Sequence, residues 1–427
     1  MRETLKNAWK IEEIRKKILY TLFMLLIYRL LCYVPTPGVP KSLIEQISDL
    51  INQYSLLGYM QSMSGSQLSQ YTIMAMGITP YINASIIMQL LCVAIPKLEE
   101  LQKEGDEGRK KIAQITRYVT VGLGFLQAVA LTIGVSRMSG ANLNALSMMT
   151  IGFCLAAGTA LAMWIGERIT ENGIGNGISL LIFAGIISNI ATTLIGYVRA
   201  IASGTSYNGS SAWAGLIVSV VVFLILLVGI VFVDLAERRI PIQYSKRMVG
   251  RRMYGGQSTH IPLKLNASGV LPLIFANAIM QFPSTILAFF PNSSANQWWT
   301  KNVSTMSVGY QLIFALLIFG FTFFYSSITF DPVEISKNIQ NNGGMIPGIR
   351  QGKPTSDYIK KITRRITTFG ALYLAVLAVL PAIIYGIGGV SLRFAASSLL
   401  IAVSVAMETV RELESQMLMR HYKGFLK

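Results

Sequence analysis

Carboxylates are scarce in this chain, and none lies in the middle of a long apolar run. Of 427 residues only 20 are Asp or Glu, against 37 Lys and Arg. Those nearest to the apolar runs, Glu167, Asp234, Asp331 and Glu408, stand at run edges. Carriers coupled to protons or sodium commonly keep a carboxylate near the bilayer midplane, and this sequence offers none. The two histidines, His260 and His421, fall in polar segments, which excludes an intramembrane HExxH metal site or a Ser/His dyad. A GxxxxGKS or GxxxxGKT phosphate loop is also missing, so the chain is not expected to hydrolyse nucleotides. Cys32, Cys92 and Cys154 all sit within apolar runs, where they read as small packing residues and not as a disulfide framework. The expectation is a chain that is not an enzyme, with no catalytic residues, no metal and no cofactor. Its energy would come from a partner or a gradient.

Apolar residues are abundant instead: 52% are hydrophobic and 13% charged. Ten mainly apolar stretches run approximately over Ile18–Val34, Tyr71–Ile95, Tyr118–Val135, Ala145–Ile165, Gly177–Val198, Trp213–Val233, Ala267–Phe290, Tyr310–Phe330, Thr367–Ile387 and Gly388–Met407. About 20 helical residues cross a hydrocarbon core of about 30 Å. The first stretch lacks a small-residue cleavage pattern and is expected to remain as a span. Positive charge is sorted between the connecting segments. Alternate segments, starting with the amino-terminal one and including Lys97–Arg117, Leu235–Lys264, Pro332–Ile366 and Arg411–Lys427, hold 31 of the 37 basic residues. Lys and Arg collect in cytoplasmic loops, so these segments and both termini are assigned to the cytoplasm. The predicted fold class is an all-α polytopic membrane protein with ten transmembrane helices. Its net charge of +17 follows from this topology and does not by itself indicate nucleic acid.

Several local features ask for more than topology. Leu56–Gln70 is too short and polar to cross, yet carries Leu57, Met60 and Met63 before Ser64, Gly65 and Ser66. It reads either as a short half-helix dipping into the protein or as an external loop. Leu235–Lys264 and Pro332–Ile366 are longer than a topology signal requires. In the first, Lys246, Arg247, Arg251 and Arg252 fall about one turn apart if helical; in the second, Pro347 and Gly348 predict a tight turn presenting Arg350. Both read either as solvated basic faces or as surfaces that dock an acidic protein or phosphate-rich RNA. Within the runs, Asn83, Gln89, Asn189, Asn277 and Gln281 need hydrogen-bond partners, and Gly173 with Gly177 suits close packing or a connecting turn. Ile78 with Ile82, and Ile178 with Ile182, share helix faces, a spacing that lipid-facing and core residues also have.

Five motifs, in order, resemble the bacterial SecY family, the central subunits of the Sec protein-conducting channel. They are GITPYINASIIMQLL (Gly77–Leu91), EGDEGRKKIAQITRY (Glu104–Tyr118), ERITENGIGNGIS (Glu167–Ser179), GRRMYGGQSTHIPLK (Gly250–Lys264) and MIPGIRQGK (Met345–Lys353). The resemblance implies a central pore between two pseudosymmetric five-helix halves, residues 1–200 and 201–427, related as an inverted repeat. It implies a pore ring of Ile78, Ile82, Ile178, Ile182, Ile274 and Ile401. Leu56–Gln70 would be a plug beneath that ring, with Ser66 standing where the family often has a second Gly.

A lateral gate is implied between Ser85, Ile86 and Gln89 on one helix and Asn277 and Gln281 on another, its polar residues bonding across the closed gate. Lys246, Arg247, Arg251, Arg252 and Arg350 would contact the ribosome, through its RNA, and the motor ATPase SecA. Further implied partners are SecE, SecG, signal sequences, nascent polypeptides and the lipid bilayer. The implied location is the bacterial cell (inner) membrane. The activity implied is translocation of unfolded secretory polypeptides and lateral release of hydrophobic segments. A secondary transporter of a small solute is the alternative that ten spans and an inverted repeat also permit.

Overall fold

The computed structural model describes residues 9–40, 44, 67–138, 144–204, 212–244, 247–249, 252–254, 258–266, 268–288, 293–303, 307–388 and 396–424. Helices α1 (Glu12–Leu31), α2 (Thr79–Ala94), α3 (Pro96–Lys103), α4 (Asp106–Met138), α5 (Ala145–Asn172), α6 (Gly177–Ser203) and α7 (Ala212–Leu235) lead to strands β1 (Glu237–Tyr244), β2 (Arg247–Val249), β3 (Arg252–Tyr254) and β4 (Ser258–Lys264). Then come α8 (Leu271–Ala288), α9 (Ser294–Asn302), α10 (Val308–Thr329), α11 (Pro332–Asn341), β5 (Gly344–Met345), α12 (Lys353–Gly388) and α13 (Ala396–Gly424). Each expected apolar stretch falls at least partly on a helix. Among the described residues, α4, α5, α6, α7, α10 and α12 are the six helices long and apolar enough to cross a membrane by themselves. The pair α2 and α3, bent by 101°, makes a seventh if it is one span.

The second apolar stretch differs from the helix expected over Tyr71–Ile95. Residues 67–78 run as turns, and α2 starts only at Thr79, with Pro80 in its first turn and Gly77 before it at φ 53°. Proline lacks the amide that a first helical turn leaves unused, and glycine takes positive φ without a side-chain clash. The irregular segment is largely buried: Leu68, Met74 and Ala75 are 0% exposed. Its backbone is satisfied locally and by the end of the first stretch, through Thr36 N to Tyr71 O at 3.1 Å, Ile73 N to Val34 O at 3.0 Å and Gly77 N to Met74 O at 2.8 Å. Non-helical backbone at membrane depth persists only under such protein cover. Side chains add Tyr71 OH with Thr132 Oγ1 at 3.1 Å and Gln67 Nε2 donating to Cys32 Sγ at 2.6 Å.

Gly158 lets α5 press against this segment, because a Cβ there would sit 2.0 Å from the carbonyl oxygen of Ile73. Gly158→Ala should therefore destabilise the protein by about 1–3 kcal/mol, the usual cost of overpacking. Gly122→Ala in α4 meets nothing within 4 Å and should be neutral or stabilise by about 0.5–1 kcal/mol. Thermal unfolding of the two purified variants in detergent checks this; equal melting temperatures would contradict the close approach.

The GxxxG spacing at Gly173 and Gly177 belongs to the α5–α6 connection. A Cβ on Gly177 would lie 2.0 Å from the Gly166 carbonyl oxygen, so the glycine allows the two helices to turn back on each other. Asn176 caps α6 by accepting from the amides of Ile178 and Ser179.

Two large apolar clusters organise the helices. One contains Tyr28, Met74, Ile165, Ile169, Leu181, Ile186, Ile401 and Val405; the other contains Ile230, Leu273, Phe314, Ile318, Leu374, Leu399 and Val403. Helix α13 serves both, giving Ile401, Ala402 and Val405 to the first and Leu399, Leu400 and Val403 to the second. Outward faces stay apolar: Ile225, Val228 and Phe232 of α7 are 65%, 66% and 75% exposed, as suits a surface covered by hydrocarbon or by another apolar helix.

The fold is not purely helical as expected. Strands β4, β1 and β5 form an antiparallel sheet in that order, with Arg239 opposite Pro262 and Gln243 opposite Met345. The two long basic loops are thus joined into one folded unit. Its core holds Ile240, Ile242, Leu263, Ile339, Ile346 and Ile359. In β1 the buried Ile240 and Ile242 alternate with exposed Arg239 and Pro241, the period-two pattern of a strand. That pattern also corrects the helical spacing considered for the first loop, where β2 and β3 pair as a short hairpin.

Candidate functional site

All six isoleucines expected at a pore ring belong to the first apolar cluster. Ile78 precedes α2 as its N-cap and Ile82 follows one turn later; Ile178 and Ile182 occupy the opening turns of α6. Ile274 and Ile401 come from the early turns of α8 and α13. Residues far apart in sequence are therefore brought together by the amino-terminal ends of four helices. Ile78, Ile182 and Ile401 are 7%, 7% and 2% exposed, while Ile82, Ile178 and Ile274 are half-buried. The side chains packed around them in the cluster include Met74, Leu181, Ile186 and Val405. Branched alkyl groups give an ion no ligand and disfavour water, yet they can deform around a larger passing chain.

Helices α2 and α8 meet through apolar side chains. Ile86, Phe275 and Ala278 are buried together, with Ile82, Leu90, Leu271, Ile274 and Phe321 packed against them. Phe275 stacks on Phe321 at 5.4 Å between ring centroids. Asn277 is buried, but its Nδ2 donates 3.0 Å to the Leu273 carbonyl of its own helix, not to α2. Ser85 is half-buried and Gln89 exposed. The polar contacts expected across this seam are thus replaced, for Asn277, by a bond within one helix, and apolar packing joins the helices. The side chain of Gln281 lies outside the described residues, as do Leu57, Met60, Met63, Ser64, Gly65 and Ser66.

The turn expected before Arg350 is present. Ile349 N donates 3.0 Å to Ile346 O across Pro347 and Gly348, and Gly348 has φ 79°, the type II arrangement. Arg350 is exposed, while its carbonyl accepts from Thr355 Oγ1 at 2.8 Å. On either side Gln351 Nε2 donates 2.9 Å to Gly344 O, and Ser336 Oγ donates 2.9 Å to Gly352 O. The backbone is fastened and the guanidinium is left outside. In the other loop, Arg247 pairs with Tyr254 and Arg252 with Val249 in the backbone register of the hairpin; Lys246 and Arg251 lie outside the described residues.

Sequence reasoning missed the sheet that unites the loops, although Ile240, Ile242, Ile261 and Leu263 carried an alternating signal. It also left Arg29 unassigned. Arg29 donates through Nη2 to Ser188 Oγ, tying α1 to α6, and its guanidinium carbon lies 5.7 Å from the centre of the Tyr33 ring.

A family model described as SecY matches residues 72–410. The chain belongs to the SecY family. Protein translocase subunit SecY of Thermotoga maritima is 40% identical over 436 residues, covering 100% of this chain and 98% of that protein. Among solved structures, a SecY whose plug domain stabilises the closed state of the translocation channel and maintains a membrane seal superposes with a TM-score of 0.67 at 18% identity, over 94% of this chain and 92% of that one. Sec61 in the canine ribosome–channel complex from the endoplasmic reticulum gives 0.64 at 18%, over 93% and 92%. At these identities the SecY and Sec61 structures support the fold, and the curated sequence relative carries the family.

Proposed function

We propose that this SecY-family chain forms a protein-conducting channel, passing unfolded secretory polypeptides across the membrane and releasing apolar segments sideways into lipid. The observation that carries this is the convergence of Ile78, Ile82, Ile178, Ile182, Ile274 and Ile401 in one apolar cluster drawn from four helices. On this reading they form a deformable ring between two pseudosymmetric halves of five spans, 1–200 and 201–427. Residues 56–70 act as the plug below it, in line with the membrane seal ascribed to the plug of the similar SecY. The α2–α8 seam is the lateral gate: a segment of about 20 apolar residues prefers hydrocarbon to an aqueous pore and leaves through it. The basic unit built on β1, β4 and β5 faces the cytoplasm of a bacterial cell, with both termini. It receives the ribosome, as fits the ribosome-bound Sec61 relative, and the motor SecA, while SecE and SecG complete the complex.

A stalled secretory polypeptide tests the assignment. A photoreactive residue at position 82 or 182 should cross-link to the stalled chain, and one at lipid-facing Phe232 should not. Absence of any cross-link from both ring positions, alongside counterflow of a small labelled solute, would make the chain a transporter of small molecules.

A further inference from the structure

Helix α12 is one continuous helix of 36 residues whose basic first turns give way to an apolar remainder. Its first turns expose Lys353, Lys360, Lys361, Arg364 and Arg365, with Asp357 the one acidic residue among them. Their ammonium and guanidinium groups take part in none of the ion pairs among the described residues. Lys361 and Arg365 continue, at helical spacing of three, four and seven residues, into Phe369, Leu372, Val376 and Ile383. Those four are 50%, 59%, 51% and 51% exposed. Other side chains of the helix are spent on packing: Ile359, Ala371, Leu374 and Leu377 are buried, and Thr367 is hydrogen-bonded to Ser326 at 2.8 Å.

The height of these groups decides what they meet. Arg365 stands one turn above Phe369, about 6 Å along the axis. Each headgroup layer of a bilayer is about 5–8 Å deep. If Phe369 marks the upper edge of the hydrocarbon, Arg364 and Arg365 are level with lipid phosphates, while Lys361, about 12 Å above Phe369, stands outside that layer but within a Debye length of it. Topology requires positive charge somewhere in this loop, but not a row placed directly over a lipid-facing stripe.

We propose that Arg364 and Arg365 bind the headgroup phosphate of an anionic phospholipid whose acyl chains lie along Phe369, Leu372 and Val376, with Lys361 adding electrostatic attraction from just outside the headgroup layer. The two guanidinium groups can each give paired hydrogen bonds to phosphate oxygens. The site goes beyond the channel reading, because it depends on how α12 enters the membrane and not on what the pore carries.

The full chain, reconstituted into phosphatidylcholine vesicles containing a minor share of phosphatidylglycerol and then gently extracted, should retain phosphatidylglycerol in native mass spectra. Each neutralised charge should weaken retention about fivefold, so K361Q/R364Q/R365Q should lose it by a factor on the order of 100. R364K/R365K keeps the charge and should retain most of the lipid. These side chains are exposed, and an unchanged melting temperature shows that the variants fold. Equal retention by the triple variant and the parent overturns the proposal. It is equally overturned if the triple variant keeps phosphatidylglycerol but loses binding to a soluble RNA, which would assign the face to a cytosolic polyanion.

Discussion

Replacing Ile82 and Ile182 together by Asn should open a resting ion leak in membranes containing the purified channel. Both side chains pack in the first apolar cluster, and Ile182 is 7% exposed. An unpaired amide in such surroundings recovers about 1–3 kcal/mol when water reaches it. A fall of about 1.4 kcal/mol in the cost of wetting the constriction is a factor of ten in its hydrated population. Two amides should therefore raise the leak at least about tenfold, read as current across a planar bilayer. Ile82→Leu with Ile182→Leu keeps the alkyl character and should stay tight. If the Asn variant conducts no more than the parent even after residues 57–66 are removed, the apolar ring does not provide the seal.

Arg350→Glu should abolish most motor-driven transport while leaving the resting membrane tight. The fold has little to lose, because the side chain is exposed and its neighbours fasten the backbone: Thr355 bonds the Arg350 carbonyl and Gln351 bonds Gly344. A carboxylate of the motor can accept two parallel hydrogen bonds from a guanidinium, a geometry that an ammonium reproduces poorly. Glu turns that attraction into repulsion, so a loss of at least about tenfold is expected, equivalent to about 1.4 kcal/mol. Arg350→Lys should lose only part of the rate. The measurement is ATP-driven import of an unfolded secretory substrate into vesicles with purified SecA. Normal import by Arg350→Glu would return this residue to a charge required by topology alone.

The long apolar helices were legible because hydrophobic length survives any detail of packing: α4 through α7, α10 and α12 each fall where a run of apolar residues lay. The irregular backbone at 67–78 was not, since Tyr71, Met74, Ala75 and Met76 are as apolar as a helix would be. The marks at Gly77 and Pro80 were visible but could equally have lain inside a kinked span. Among the site residues, the Ile78–Ile82 and Ile178–Ile182 spacings were available from the sequence. Their meeting with Ile274 and Ile401 was not, because it depends on how four helices converge. Asn277 shows the opposite limit: an amide in an apolar run must find an acceptor, and the sequence could not tell a carbonyl four residues back from a partner on α2. The β-sheet was hidden by the basic residues around it, which drew attention to charge and away from the alternation of Ile240 and Ile242.

That sheet also has a mechanical consequence. The Arg350 turn begins directly after β5, β5 is hydrogen-bonded to β1, and β1 is zipped along its length to β4. The amide of Leu265 then bonds 3.0 Å to the carbonyl of Ala236, closing the base of the hairpin where α7 ends, just before the chain enters α8. A partner bearing on the turn therefore pulls on a hydrogen-bonded sheet and not on a free loop. A pull on the turn is shared by the whole sheet before it comes, through residues 265–270, to the helix that meets Ile86.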